Sequence, residues 1–166
     1  MTANLPDVLV DLARRVIDEN RAAGRRVAVA ESCTGGLVSA ALTEIAGSSD
    51  VFEAGWVTYS NAAKHAELGV SNEVIDTFGA VSIATAWAMA RGALAACEAD
   101  IAVAITGIAG PGGAVPGKPV GTVVFATAVR GGHADDLAAD SRFFEDQDRS
   151  GVRLQAALCA LELLLP

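Results

Sequence analysis

The sequence is poor in the residues that would staple, thread or charge a chain. It has three cysteines, Cys33, Cys97 and Cys159. They are odd in number and have no paired spacing, so neither a disulfide framework nor a zinc site is signalled, and a reducing compartment, the cytoplasm, is the simpler reading. No uncharged run is long enough to span a bilayer, and Met1–Val10 carries Asp7 in place of a basic region and apolar core, so no secretion signal is expected. Aromatic residues make up only 5% and charged residues 19%. The formal net charge of -8 comes with no basic stripe, which excludes a general nucleic-acid surface. A small anion held by one local nest or arginine stays open. Lysine is rarest of the basic residues: Lys64 and Lys118 stand against ten arginines among the 12 basic positions.

What is abundant is alanine and other apolar residues, 52% in all over 166 residues. One domain over residues 1–166, with helices packed closely on a sheet, follows. Leu5, Val8, Leu9, Leu12, Val16 and Ile17 recur at helical spacing up to Gly24. Strands are expected at 26–31, 51–60, 101–105, 120–129 and 137–144, the last two joined by a hairpin turn at Arg130–His133. Helices are expected from Leu37 to Ile45, from an Asn61 cap to Gly69, at 72–78, from 83 to 98 with Ala84, Ala86, Ala88 and Ala90 meeting the sheet, and from about 148 to 164. Strands alternating with helices and followed by a hairpin predict a three-layer α/β/α sandwich with a mixed, mostly parallel sheet of about five strands.

The organising stretch is Val27-Ala28-Val29-Ala30-Glu31-Ser32-Cys33-Thr34-Gly35-Gly36-Leu37. A strand stops at Glu31, and small and hydroxyl residues turn the chain into a helix, where free N–H groups favour an anion. Helix capping alone would also use a Ser, a Thr and a Gly pair. Two other strands end in turns: Tyr59-Ser60-Asn61 with Lys64, and Thr106-Gly107 with the Gly/Pro loop through Pro119. If the three strands are parallel, the turns meet at one sheet edge, where ligands of open α/β sheets bind.

A serine at a helix start, a lysine one turn into another helix and a Gly-rich loop are the parts of a Ser/Lys hydrolase. A desolvated lysine can take the serine proton, and N–H groups around Thr34–Gly36 can hold an oxyanion. Cys33 is a rival nucleophile and His65 a rival base, although His65 and Lys64 point about a quarter-turn apart. His133 is expected to be solvated. Glu31 can orient a lysine or pair with an arginine, and Arg149 or Arg153, one turn apart, can bind a phosphate. Gly112–Lys118 has phosphate-loop spacing, but Pro119 stands where Ser or Thr would hold magnesium and a strand follows where a helix is needed.

Ala30–Gly36, Tyr59-Ser60-Asn61 with Lys64 and Leu68-Gly69-Val70, Gly79–Ser82, and Thr106–Pro111 through Lys118–Thr122 resemble the CinA carboxy-terminal domain family, over about Leu9–Leu164. The resemblance implies an enzyme that hydrolyses nicotinamide mononucleotide (NMN) to nicotinate mononucleotide and ammonia in pyridine-nucleotide salvage, with no metal or cofactor. Carried over residue by residue, it implies Ser32 as nucleophile, Lys64 as general base and Tyr59 in the site. Glu31, Cys33, Thr34, Gly35, Gly36, Asn61, Thr106, Gly107, Ala109, Gly110 and Arg149 are implied around the substrate. Near the end, Asp148-Arg149-Ser150-Gly151-Val152-Arg153 fits the family's pattern, but Gln147 stands where a Gly is usual. Relatives often carry a further amino-terminal domain, and this chain resembles the stand-alone form. Small-molecule substrate, no nucleic acid, no membrane and a homo-oligomer, a dimer, are the expected partners. A non-catalytic nucleotide-binding module, or an amidase for another small amide, are the alternatives.

Overall fold

The computed structural model describes residues 4–133, 135 and 138–166. In chain order come α1 (Asp7–Ala22), β1 (Val27–Glu31), α2 (Leu37–Thr43), a 3-10 turn, β2 (Phe52–Val57), α3 (Asn61–Leu68), α4 (Asn72–Phe78), α5 (Ile83–Ala95), β3 (Ile101–Gly107), β4 (Thr122–Val129), β5 (Ala138–Phe143) and α6 (Arg149–Leu163). The sheet order is β2-β1-β3-β4-β5. β1 pairs parallel with β2 and β3, while β4 is antiparallel to β3 and β5. Only β4 is reversed, so this is the mixed, mostly parallel α/β sandwich expected. The turns after β1, β2 and β3 leave the same edge.

Side-chain size is sorted between the two faces. Val27, Val29, Ile101, Val103, Ile105 and Phe125 point into a core shared with α1, α2 and α6. Ala28, Ala30, Ala102, Ala104 and Ala126 point the other way, toward α5. Fully buried Leu9, Leu42 and Leu161 on the first face each contribute about 1.5–3 kcal/mol of transfer free energy. On the second face the alanine surface of the sheet meets Ala86, Ala90 and Ala93 of α5, so the helix lies close to the strands. The outer side of α5 is equally tight. A Cβ built on Gly92 would come within 1.9 Å of the Leu68 carbonyl oxygen, which presses α3 against α5.

Several boundaries differ from expectation. β2 ends at Val57, because the Thr58 carbonyl turns inward to another partner. Ser60, in extended backbone, caps α3 by accepting from the Ala63 N–H at 3.0 Å; Asn61 is the first helical residue. Val8 is 54% exposed, while Asn20 is fully buried on α1 and donates to the carbonyls of Val16 and Leu164. Leu137, the expected start of the last strand, lies outside the described residues. No helix among the described residues is long and apolar enough to cross a membrane.

Candidate active site

The turn after β1 is built around a carboxylate. Glu31 is fully buried; its Oε2 accepts from the N–H groups of Gly36 and Val38, both at 3.1 Å, and its Oε1 accepts from the Ser39 N–H at 2.9 Å and the Ser39 hydroxyl at 2.8 Å. The free donors at the start of α2 are thus satisfied by the chain itself. Gly35 and Gly36, at φ 60° and 94°, supply the left-handed backbone that lets the turn fold back over Glu31. The Gly35 N–H donates to the Ser32 carbonyl. Among the described residues Glu31 therefore neither orients a lysine nor pairs with an arginine, and the Gly35 and Gly36 amides are engaged inside the turn.

Lys64, one turn into α3, is 1% exposed. Its Nζ lies 2.9 Å from Ser32 Oγ and donates to the Thr58 carbonyl at 2.8 Å. Among the described residues it forms no ion pair with a carboxylate. Burial lowers its pKa from the ordinary 10.5, and the neighbouring Cys33 acts weakly in the opposite direction. A neutral amine beside a hydroxyl is what base-assisted attack by serine needs. Cys33 is also buried, and desolvation raises its thiol to about 11, with Glu31 adding to the rise. The thiolate needed for nucleophilic attack is disfavoured there. His65, the rival base, is engaged elsewhere, its Nδ1 lying 2.8 Å from the Val70 carbonyl oxygen at the end of α3.

These residues open into a cleft of about 270 Å³ at the carboxyl edge of β1, β2 and β3. Arg149, the first residue of α6, reaches across it: Nη1 donates to the Gly110 carbonyl at 2.6 Å and Nη2 to the Tyr59 hydroxyl at 2.8 Å. Arg153, one turn later, does not line the cleft; its Nη2 donates to the Thr34 carbonyl at 3.0 Å. On the far wall, Thr106 Oγ1 donates to the Ala80 carbonyl at 2.8 Å and holds the α4–α5 connection over the end of β3. Lys118 anchors the long loop by donating to the Phe78 carbonyl at 3.0 Å.

Of the residues expected at the site, Ser32, Cys33, Tyr59, Asn61, Lys64, Thr106, Gly107, Ala109, Gly110 and Arg149 line one cleft. Glu31, Thr34, Gly35 and Gly36 lie behind it and form the turn that presents Ser32. Sequence reasoning did not name Ala80, Val81, Ile108, Gly112 or Gly113 as lining residues. Ala80 and Val81 had one usable signal: Gly79, at φ 84°, followed by the Ser82 cap of α5, marks a tight connection aimed at this edge. Thr58 had none, since it acts through its backbone carbonyl.

A family model described as CinA C-terminal domain matches residues 9–166. A nicotinamide-nucleotide amidohydrolase PncC of Enterobacter agglomerans is 51% identical over 145 residues, covering 87% of this chain and 86% of that protein. The protein of the same name from Pseudomonas putida is 46% identical over 159 residues, 96% of each chain. Among solved structures, the competence/damage inducible protein CihA from Agrobacterium tumefaciens matches with a TM-score of 0.92 at 48% identity, covering 98% of this chain and 97% of that one.

Proposed function

The chain belongs to the CinA C-terminal domain family, and from that premise we propose that it is an amidohydrolase converting nicotinamide mononucleotide to nicotinate mononucleotide and ammonia, as part of pyridine-nucleotide salvage. The relatives named nicotinamide-nucleotide amidohydrolase support the substrate. The observation that carries the mechanism is the 2.9 Å contact between Ser32 Oγ and a buried Lys64 that has no carboxylate partner among the described residues.

With Lys64 neutral, the same contact has the serine hydroxyl donating to the amine. Ser32 Oγ forms a bond to the carboxamide carbon as its proton passes to Lys64 Nζ. The tetrahedral intermediate then collapses: the C–N bond breaks, and Lys64 returns the proton to the leaving nitrogen, which departs as ammonia. Water adds to the resulting ester, again giving a proton to Lys64, and cleavage of the ester releases the nicotinate carboxylate and restores Ser32. With the Gly35 and Gly36 amides taken by the turn and Thr34 behind the cleft, the oxyanion falls to the amide of Cys33, the residue beside Ser32 that lines it. Arg149, a cation facing the cleft, binds the substrate phosphate, and Tyr59 stands with it at the mouth. No cofactor or metal has a part in these steps.

The reading extends to a single domain spanning the chain, a cytoplasmic location and a homodimer, the last checked by light scattering of the purified protein. The central test is ammonia release from nicotinamide mononucleotide with a chelator present. Ser32→Ala and Lys64→Ala are each expected to abolish release while keeping a cooperative unfolding transition. Near-normal rates in either variant refute the assignment, and ligand binding without any release in the wild-type protein replaces it with a non-catalytic binding module.

A further inference from the structure

The turn that presents Ser32 is gripped by two charged side chains, and neither of them lines the cleft. Glu31 precedes Ser32 directly and takes four hydrogen bonds from Gly36, Val38 and Ser39, which ties the start of the turn to the start of α2. From the other side Arg153, on α6, donates to the carbonyl of fully buried Thr34. The fit is close: a Cβ on Gly35 would lie 3.4 Å from Arg153 Nη2. One group therefore holds amides of the turn and the other holds its carbonyl, leaving Ser32 little freedom except in its side chain.

We propose that Glu31 and Arg153 are positioning residues that clamp the Ser32 turn and so set the distance between Ser32 Oγ and Lys64 Nζ. This rests on the reading of Ser32 as the nucleophile. It also divides the two arginines of α6: Arg149 serves the ligand, and Arg153 serves the protein. The positive end of α2, where a substrate anion would otherwise sit, holds the chain's own carboxylate. Loss of Arg153 leaves the buried Thr34 carbonyl only the Leu37 N–H, a bond made inside the turn itself, and so removes its tie to α6 and frees the turn to shift. Displacing a reacting atom by about 1 Å costs on the order of 100-fold in rate.

The test compares Arg153→Met, Arg153→Lys, Glu31→Gln and Arg149→Met in steady-state kinetics and in amide hydrogen exchange. Arg153→Met should lower kcat for nicotinamide mononucleotide by about 10- to 100-fold with KM changed less than about twofold. Arg153→Lys, which can still donate to the Thr34 carbonyl, should recover most of that loss, and Arg149→Met should act mainly on KM. Glu31→Gln puts an NH2 group where an acceptor oxygen stood, so exchange across residues 32–39 should quicken in it and in Arg153→Met, while α1 and α5 keep their protection. A rise in KM without loss of kcat in Arg153→Met would place Arg153 on the substrate and overturn the proposal, as would unchanged exchange at 32–39. If the wild-type protein releases no ammonia, the amidohydrolase reading fails separately. The clamp is then decided by the exchange arm and by labelling of Ser32 with a fluorophosphonate, slower in Arg153→Met if the clamp is real and equal if it is not.

Discussion

Replacing Gly92 by Ala sets two well-understood effects against each other. Gly92 lies inside α5, and in a free helix the change stabilises by about 0.8–1 kcal/mol. Here the new Cβ would stand 1.9 Å from the Leu68 carbonyl oxygen and 2.8 Å from its carbon. An ordinary contact requires α3 and α5 to part by about 1.5 Å. The obstacle is backbone and cannot rotate away. Overpacking of this kind costs about 1–3 kcal/mol, and the obstacle here is rigid backbone, so after the propensity gain the net expectation is a loss of up to about 2 kcal/mol. In a chain of this size that lowers Tm by several degrees. The second consequence is chemical. Lys64 sits one turn before Leu68 on α3, and a shift of about 1 Å there breaks its contact with Ser32 and lowers kcat by on the order of 100-fold. Thermal and urea unfolding measured beside turnover decide the matter. A variant at least as stable as wild type, with kcat within twofold, would show that propensity wins and that the α3–α5 contact does not set the position of the lysine.

Two further predictions concern titration. Burial lowers the folded-state pKa of Lys64 below 10.5, so the native protein binds that proton less tightly than the unfolded chain does. The resulting penalty is fully present below the folded pKa and disappears as pH rises through 10.5. The urea midpoint of wild type relative to Lys64→Met should therefore climb between neutral pH and about 10.5, and kcat/KM should rise with pH along a limb whose pKa is below 10.5; a flat or falling difference contradicts this. Cys33, its thiol raised to about 11, should tolerate Cys33→Ala with kcat kept within a few-fold. A dead Cys33→Ala beside an active Ser32→Ala would transfer the nucleophile to sulfur.

The parts of this molecule written in local pattern were legible in advance. An apolar run ending in Glu31-Ser32-Cys33-Thr34-Gly35-Gly36 can hardly be anything but a strand turning into a helix, and β1 and α2 lie where it says. Lys64, rare by composition, and Tyr59 were marked by the turn they share, and parallel pairing of β1 with β2 and β3 brings that turn to Ser32. Illegible were the features decided by three-dimensional neighbours. Whether Arg149 or Arg153 faces the cleft depends on how α6 is rotated against α2. The use of Glu31 depends on a turn folding back on itself, which places its carboxylate under amides five to eight positions onward. Gly92 reads as a weak point in a helix until α3 is laid against it.

The hydrogen bonds that α6 makes to the first half of the chain link residues 90 and 119 positions apart, Tyr59 to Arg149 and Thr34 to Arg153. A ribosome-bound chain emerging in order therefore holds serine and lysine well before either arginine has been synthesised. On the proposed mechanism the nascent protein cannot work early: until α6 docks against α1 and α2, the Ser32 turn lacks its contact with Arg153 and the cleft lacks Arg149. Specific activity per milligram thus counts the molecules whose final helix is seated, and makes turnover a gauge of completed assembly that bulk helical content would miss.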